Sequence, residues 1–437
     1  RSTRLARLRR HLEGAAADRG ALWRHPDFLK LWFGDLVSDL GSRVTPLALP
    51  LTAALLLDAG PGQMGALYAT GYLPPILLGL VAGVWIDRLR RRPVLIWANA
   101  GRALVLLTVP AAALIGQLRI ELLFAVQLAM ALLAVFARTA AVAYLPSLVP
   151  RERLVTANSA LAAGDALAEV AGPGLAGLLV QRAGAPLAIA ADAVSYLAPA
   201  LCVALIRAPE PPPPPRAGRR PLLAELREGL ATLTGQPLLR AFLATMICAV
   251  FFYNVIMAVY LLYLYRQLGL SPAAVGVIFG FGGGAGILIG SAIAPAVSRR
   301  LGLGRTLVGA HLLFGLGGLL LGLAVFLPAF GAPLVFAAEF LQLAVNGVYF
   351  VNRRSVEQAV TPPPLRGRVR AGQSVVDAAA AAAGTLAGAA IGERFGVGAA
   401  VLAGVAGGLF SVLWLWWSPV RRLTGLPEES GGLPAGG

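Results

Sequence analysis

A series of long apolar runs, separated by short polar gaps, constrains the fold of this 437-residue chain more than any other feature. Crossing the ~30 Å hydrocarbon core of a bilayer takes about 20 helical residues, and each run reaches roughly that length or more. The runs lie near residues 28–57, 63–86, 94–116, 121–145, 156–180, 185–206, 238–265, 272–297, 305–328, 332–352, 368–391 and 396–418. The pattern predicts an all-α membrane protein with twelve transmembrane helices in two bundles of six.

The composition agrees with a membrane protein and argues against two other classes. Hydrophobic residues make up 57% of the chain and charged residues only 13%, whereas soluble domains carry about 25% charged residues. The net charge of +16 would suit a nucleic-acid partner, but the arginines cluster in the gaps between the runs and at the chain ends. We therefore expect no nucleic-acid binding. The only lysine, Lys30, follows a leucine and not the glycine of a phosphate-binding loop, so ATP hydrolysis is not expected either.

Residue patterns typical of an enzyme are missing from the sequence. The three histidines, His11, His25 and His311, are scattered, and Cys202 and Cys248 each lie within an apolar run. Neither a nucleophile paired with a base nor a metal-ligand spacing is visible. The sequence predicts a protein with no enzymatic activity, no cofactor and no metal.

The chain divides into five predicted segments: a basic tail (1–27), a first six-helix bundle (28–206), a linker (207–237), a second six-helix bundle (238–418) and a final tail (419–437). The linker contains five consecutive prolines, which cannot continue a helix. Apolar residues at helical spacing follow in the same linker and predict an amphipathic helix along the membrane surface.

The charges of the gaps predict the orientation in the membrane. Arginines collect near residues 88–92, 151–153, 216–220, 299–305 and 366–370, whereas the alternate gaps carry few charges. Because cytoplasmic loops are enriched in Lys and Arg, both termini and the linker are expected in the cytoplasm. The composition suggests a bacterium, and the protein would then span its inner membrane several times.

An internal repeat relates the two predicted bundles. Three pairs of residues share one offset of 211: Pro26 and Pro237, Gly65 and Gly276, and Arg88 and Arg299. A gap-free offset from the first run to the gap after the second predicts two structurally equivalent halves. Transporters use such repeats to open a central site to one side of the membrane at a time.

The gap after the second run carries a short motif. Gly83 is followed four residues later by Asp87 and Arg88, and then by a basic stretch that includes Arg91. A plain cytoplasmic loop needs only the arginines, whereas Gly83 indicates a close helix approach and Asp87 a charge partner or a helix N-terminus. This motif resembles the signature loop of the major facilitator superfamily, which lies between that family's second and third helices. The resemblance implies a transporter fold in which the loop takes part in gating.

A second stretch is similar to one branch of that superfamily. Residues 143–152 (AYLPSLVPRE) and the triplet Gly172, Pro173 and Gly174 resemble the branch that contains enterobactin exporters and macrolide efflux proteins. The resemblance covers nearly the whole chain. It implies an exporter driven by proton antiport, in which the helix-five triplet serves close helix packing. It does not identify the substrate.

Charged side chains within the apolar runs cost at least about 2.5–3.5 kcal/mol each at the bilayer centre and therefore need a reason. Asp35, Asp39 and Arg43 follow one another at four-residue intervals in the first run, which places them on one stripe of a helix. Asp165 and Glu169 in the fifth run have the same spacing. These four acids are the candidates for proton coupling.

Several roles stay open for these charges. Asp35 and Asp39 with the single Arg43 leave one carboxylate in excess, which favours proton binding, but a static Asp39–Arg43 ion pair or an acid that lines a cation-accepting cavity would also fit. Arg102 in the third run and Arg138 in the fourth are further candidate charge partners, and the sequence does not choose among the acids for them.

Polar residues also recur in the second half. The candidate substrate-contacting residues are Tyr253, Asn254, Glu339, Gln342, Asn346 and Asp377. Glu339, Gln342 and Asn346 lie at helical spacing in the tenth run and predict an inward-facing stripe. Hydrogen bonds between helices are an equally suitable role for the three amides among the candidates.

The combined pattern predicts a monomeric transporter in the lipid bilayer that exports a bulky amphipathic small molecule, such as a macrolide-like drug or a siderophore, in exchange for protons. Two alternatives stay open. A lipid or lysophospholipid flippase of the same fold would need lateral openings and no proton gradient. A non-transporting membrane scaffold would need no acids at the membrane midplane.

Overall fold

The computed structural model describes residues 22–78, 85–86, 89–210 and 222–427. Within these ranges every regular element is helical, and ten helices are long and apolar enough to cross a membrane. The all-helical fold is thus confirmed. Twelve crossings stay a prediction, because the helices of the first two apolar runs are not among these ten. The signature-loop residues Gly83, Asp87 and Arg88 lie outside the described residues.

Eight helices precede the linker in the described chain. They are α1 (Pro26–Ser42), α2 (Thr45–Leu56), α3 (Pro61–Leu78), α4 (Arg91–Leu114), α5 (Ile120–Leu148), α6 (Leu154–Ala183), α7 (Ala185–Ser195) and α8 (Leu197–Ala204). The first run is divided between α1 and α2 at Arg43. Pro46, near the start of α2, has no N–H to donate to the carbonyl four residues earlier, which explains the break.

The linker helix and the second half follow. Their helices are α9 (Leu222–Gly235), α10 (Pro237–Leu262), α11 (Pro272–Val277), α12 (Ala285–Leu301), α13 (Leu303–Phe326), α14 (Gly331–Val360), α15 (Arg366–Phe395), α16 (Val397–Phe410) and α17 (Val412–Trp416). Two π-helical segments interrupt the α-helical pattern: Tyr263–Gln267 extends α10, and Ile278–Gly284 joins α11 to α12. Such segments often occur at functional sites.

The linker helix α9 packs against the start of α15. A Cβ atom on Gly229 would lie 2.3 Å from the carbonyl oxygen of Arg368, so only a glycine permits this approach. The guanidinium of Arg368 forms ion pairs with Glu228 at 2.6 Å and Glu225 at 3.8 Å. This contact attaches the linker to the second half.

The internal repeat is visible in the helix boundaries. His25 before α1 and Gln236 before α10 each accept a hydrogen bond from the backbone N–H three residues later, at 3.2 and 2.7 Å. Pro61 and Pro272 begin α3 and α11 at the same offset of 211. The equivalent positions of the repeat therefore carry the same start signals, an N-cap acceptor or a proline in the first turn.

The two halves meet along two seams, one between α3 and α15 and one between α6 and the α11–α12 region. A Cβ atom on Gly65 of α3 would lie 2.3 Å from Cβ of Ala389, and one on Gly276 of α11 would lie 2.3 Å from the carbonyl oxygen of Pro173. Gly65 and Gly276 are equivalent in the repeat. Each glycine allows its helix to approach a helix of the other half.

The beginning of α1 and the residues that follow α8 lie on one face of the molecule, here called the linker face. The carboxylate of Asp27 at the start of α1 accepts a hydrogen bond from the backbone N–H of Ala208 after α8, at 3.0 Å. On the opposite face, called the far face, contacts join the two halves. Arg266 forms an ion pair with Asp58 at 2.6 Å, and the backbone N–H of Gly62 donates to Glu393 at 2.7 Å.

We predict that Gly290→Ala destabilises the protein by about 1–3 kcal/mol, because overpacking a close helix contact forces a backbone shift. A Cβ atom on Gly290 of α12 would lie 1.8 Å from the carbonyl oxygen of Ala344 on α14. The matched control is Gly309→Ala on α13, where a Cβ atom would meet nothing within 4 Å. Thermal unfolding of the purified protein in detergent measures both variants. Equal melting temperatures would contradict the prediction.

Candidate functional site

Three carboxyl groups meet where α1 packs against α6. The side chains of Asp39 and Asp165 lie within hydrogen-bonding reach of each other, and Asp35 lies close to both. A hydrogen bond of 3.0 Å from the indole N–H of Trp32 to the carbonyl oxygen of Ala160 also joins the two helices. No arginine within the described residues forms a salt bridge with any of these three aspartates. The two acidic stripes predicted on separate helices thus form one acidic cluster.

The fourth candidate acid has a different environment. Glu169 of α6 forms an ion pair with Arg43 at the end of α1, with 2.5 Å between Oε2 and Nη1. A Cβ atom on Gly172 would lie 2.5 Å from Cγ of Arg43, so this glycine provides the space for the arginine side chain. Arg43 therefore pairs across helices with Glu169, and not along its own helix with Asp39, although Asp39 remains nearby.

Gly174 and Pro173, the other members of the helix-five triplet, have different surroundings. A Cβ atom on Gly174 would meet nothing within 4 Å. The carbonyl oxygen of Pro173 is the atom that Gly276 approaches across the seam. Close packing within the triplet thus depends on Gly172 and on the backbone of Pro173.

Arg102 of α4 also lies near the acidic cluster. Its guanidinium carbon is 4.1 Å from the ring centroid of Tyr196, and its charge is close to Asp39 and Asp192. Asp192 is fully buried and accepts a hydrogen bond from Thr45. Arg102 is therefore near Asp39 without forming an ion pair to it, and it balances part of the charge of the cluster.

The remaining candidate charge partner, Arg138, forms no ion pair with this cluster. Arg138 of α5 is exposed and makes no hydrogen bond or ion pair with the described part of the chain.

Arg91 of the signature loop, at the start of α4, donates its backbone N–H to Glu210 at 2.5 Å. Glu210 also accepts the backbone N–H of Arg92 at 3.2 Å. The described end of the signature loop is thus attached to the beginning of the linker, a contact that sequence patterns did not indicate.

Two of the second-half candidates make hydrogen bonds between helices. Asn254 of α10 accepts a hydrogen bond from the hydroxyl of Tyr72 on α3 at 2.8 Å, which connects the two halves. Glu339 of α14 accepts one from the buried hydroxyl of Tyr260 on α10 at 2.5 Å. Gln342 packs against α13, where a Cβ atom on Gly317 would lie 2.9 Å from its Cγ. These three candidates therefore serve contacts between helices in this conformation.

A cavity of about 270 Å³ lies within the second half, between α10, α13 and α14. Its lining includes Tyr253, Phe314, Asn346, Tyr349 and Arg353. The hydroxyl of Tyr349 is buried and has no hydrogen-bond partner in the described chain. The lining is mainly apolar and aromatic, with a few polar groups, as is typical of small-molecule sites. Of the six predicted substrate contacts, the cavity includes Tyr253 and Asn346.

Sequence patterns missed a buried polar network beside this cavity. Arg353 donates to Glu357 at 2.7 Å, and the amide of Gln373 donates to the same carboxylate oxygen at 2.9 Å. Asp377 lies near Arg353, and its Oδ1 atom is buried without a hydrogen-bond partner in the described chain. The tenth run was expected to end at residue 352, whereas the spanning helix continues to Val360. The i, i+4 spacing of Arg353 and Glu357 was the available signal.

The sequence of the chain also places it in a known family of membrane proteins. Residues 31–337 match the Major Facilitator Superfamily. The chain belongs to this superfamily. It is therefore a multi-pass membrane transporter, and the solved structures that it resembles are transporters and not enzymes.

Sequence relatives agree with this assignment. An uncharacterized MFS-type transporter of Bacillus subtilis (strain 168), YfiS, is 28% identical over 381 residues, which cover 84% of this chain and 87% of the relative. An uncharacterized MFS-type transporter of Mycobacterium tuberculosis (strain ATCC 25618 / H37Rv), Rv0037c, is 34% identical over 159 residues, 35% of each chain. Neither relative's name specifies a substrate.

Solved structures share the fold. The bacterial homologue of the iron transporter ferroportin in an inward-facing state gives a TM-score of 0.64 at 23% identity, with 89% of this chain and 98% of that chain covered. The POT family transporter PepTSo gives a TM-score of 0.70 at 11% identity, with 91% and 98% covered. At these identities the similarity establishes the fold alone.

We predict that charge reversal at the Arg43–Glu169 pair is partly rescued by its complement. Arg43→Glu and Glu169→Arg should each lower stability, and the double variant should recover about 0.5–3 kcal/mol relative to the sum of the single effects. Thermal unfolding of the three variants gives this coupling energy. The matched control pairs Glu169→Arg with Arg138→Glu, because Arg138 does not contact Glu169. Coupling of the same size in the control would refute a specific pair.

Proposed function

We propose that this chain is a secondary active exporter that moves a bulky amphipathic small molecule across a bacterial inner membrane in exchange for protons. The observation that carries the proposal is the acidic cluster of Asp35, Asp39 and Asp165, which has no salt-bridge partner in the described chain. Three neighbouring carboxylates that lack such a partner repel one another, so binding a proton relieves the repulsion. Intramembrane acids of this kind mark proton relays in transporters.

The proposed mechanism assigns separate tasks to the two halves. Protons bind to the acidic cluster on α1 and α6, while the substrate binds in the second-half cavity with an apolar part against Tyr253 and Phe314. A cavity of about 270 Å³ is slightly below the usual range of ligand pockets, so a bulky molecule would extend beyond it toward the first half. Arg43 and Glu169 lie beside the acids and would respond to the change in charge on proton binding.

The conformation supports a role as the loading state of an exporter. An ion pair and a hydrogen bond from a backbone N–H group connect the halves at the far face. Arginines are concentrated at the opposite, linker face, which we therefore assign to the cytoplasm, with both termini there and twelve crossings in total. Protonation on the outer side and substrate loading on the cytoplasmic side would then alternate by rocking of the two halves about their seams.

One observation favours the alternative of a lipid flippase. A mainly apolar cavity of about 480 Å³ lies along α4 and α5 and includes Arg90, the strongly exposed Trp97 and Phe136. A groove with an arginine at its linker-face end could accept a phospholipid with its headgroup at the membrane surface. The acidic cluster has no role in such a reaction, which is why export by antiport is preferred. The same cluster argues against a non-transporting scaffold.

The test uses inside-out membrane vesicles with an imposed pH gradient. Macrolides, cationic dyes and catecholate siderophores are added one at a time, and collapse of the gradient is followed with wild-type protein and with Asp39→Asn. A compound that collapses the gradient only with the wild type identifies the substrate class and supports antiport. If both folded proteins give no response to any compound, while fluorescent lysophospholipid crosses the membrane, the flippase is correct and the proposal fails.

A further inference from the structure

A small basic cavity lies at the linker face of the second half, between the end of α14 and the beginning of α15. Its volume is about 100 Å³, and three arginines line it: Arg354, Arg366 and Arg370. The cavity is separate from the acidic cluster, which lies on α1 and α6 in the other half. It is also separate from the cavity that the proposed exporter uses for substrate.

Two of the arginines that line the cavity, Arg354 and Arg370, lie close together. Arg354 and Arg370 are close enough for their charges to interact. Arg370 makes no side-chain hydrogen bond or ion pair with the described residues. Arg354 packs its guanidinium 4.9 Å from the ring centroid of Phe350, a contact that leaves its N–H groups available. Two cations held together in this way attract an anion.

The third arginine is fixed in position by the backbone. Arg366 donates through Nε to the carbonyl oxygen of Thr361 at 3.2 Å and through Nη2 to that of Gln358 at 2.9 Å. The Thr361 side chain lines the same cavity, is almost fully buried, and its hydroxyl has no hydrogen-bond partner in the described chain. The first turns of α15 also line the cavity, and helix N-termini favour anions.

The nearby carboxylates do not neutralise the arginines around the cavity. Glu357 lines the cavity, but its Oε1 atom accepts hydrogen bonds from Arg353 and Gln373. Asp377 lies close to both Arg353 and Arg354. Two carboxylates therefore face four arginines in this region, which leaves an excess of positive charge around the cavity.

We infer that this cavity binds a phosphate group. A water molecule takes about 30 Å³ in the liquid, so about 100 Å³ accommodates a group of a few heavy atoms such as phosphate and no bulky organic molecule. The planar guanidinium groups of arginine match phosphate oxygens in pairs of hydrogen bonds. Because the cavity lies where the spanning helices end, the phosphate belongs either to a phospholipid headgroup or to a soluble phosphate compound.

The experiment measures thermal unfolding of the full-length protein in detergent with phosphatidylglycerol, with phosphatidylcholine, or with inorganic phosphate against chloride at equal ionic strength. A phosphate ligand should raise the melting temperature of the wild type. The control variant is Arg300→Gln, because Arg300 is exposed on the same face and lies outside the cavity, and a phosphate ligand should raise its melting temperature equally. Arg370→Gln should bind the phosphate group about 10-fold or more weakly than the wild type, because a hydrogen bond to a charged group is lost. Arg354→Gln on the neighbouring helix is the second variant if Arg370→Gln fails to fold.

The outcomes distinguish a lipid headgroup, a soluble phosphate compound and the absence of a phosphate site. Protection by phosphatidylglycerol without protection by inorganic phosphate assigns the site to a lipid headgroup. Protection by inorganic phosphate assigns it to a soluble phosphate compound. Absence of protection in the wild type, or equal protection in the cavity variants and in Arg300→Gln, overturns the inference.

Discussion

Asp39→Asn is expected to lower uphill export strongly while leaving downhill exchange of the substrate intact. An amide side chain cannot bind or release a proton at this position, so the acidic cluster loses the group that lies against both Asp165 and Asp35. Coupling between two bound species is typically worth about 5–150-fold in affinity, and we expect accumulation against a gradient to fall by about 10-fold or more. Substrate exchange without net proton movement needs only the conformational change and should persist.

The measurement uses purified protein in liposomes, with gradient-driven accumulation and counterflow recorded on the same preparation. Asp165→Asn should give the same phenotype, and the double variant should be no worse than either single variant, because the residues act as one unit. Glu121→Gln, an exposed acid at the start of α5 on the far face, is the control and should retain both activities. Unchanged accumulation by folded Asp39→Asn would remove this residue from proton coupling.

A covalent bridge across the far face is expected to stop transport almost completely. Arg266 contacts both Asp58 at 2.6 Å and the carbonyl oxygen of Ala54 at 2.9 Å, and these contacts join the two halves. A transporter that opens alternately to the two sides must break them in each cycle. Cysteines at positions 58 and 266, each joined through a disulfide bond to one end of a short bis-thiosulfonate reagent, would hold the far face closed.

The experiment is best done after Cys202→Ser and Cys248→Ser, because these are the only two cysteines of the chain. Transport should fall to about a tenth or less on cross-linking and return on addition of a reductant, since the bridge removes a required conformational state. Variants with one introduced cysteine, treated with the same reagent, control for modification alone. Full transport by the cross-linked protein would show that this contact does not open during the cycle.

The helical elements could largely be predicted from hydrophobic periodicity, because a bilayer requires each spanning segment to satisfy its own backbone hydrogen bonds. The ten candidate spans lie within the predicted apolar runs or extend them by a few residues. The repeat of 211 residues extends to the caps at His25 and Gln236. The clearest boundary error is at the end of α14, where the apolar pattern stops too early. The charged residues that interrupt it are Arg353, which is half-buried, and Glu357, which is buried.

The site could be predicted only one helix at a time. Residues four apart share a helix face, so the stripes of Asp35 with Asp39 and of Asp165 with Glu169 follow from spacing alone. Whether two stripes face each other depends on how helices pack, which involves contacts far apart in sequence. The Arg43–Glu169 pair and the proximity of Asp39 to Asp165 are of this kind.

The sequence by itself determined that the chain is an all-helical membrane protein and which residues share a helix face, because both follow from local periodicity in an apolar solvent. It also identified the superfamily through its motifs, which the family comparison then confirmed. Only the tertiary structure decided which charges pair. Arg43 forms its ion pair with Glu169 and not with Asp39, because Gly172 leaves space for the arginine side chain beside α6. The tertiary structure also decided where the two cavities of the second half lie. Their lining residues are on different helices, and spacing along the sequence does not predict that these residues come together.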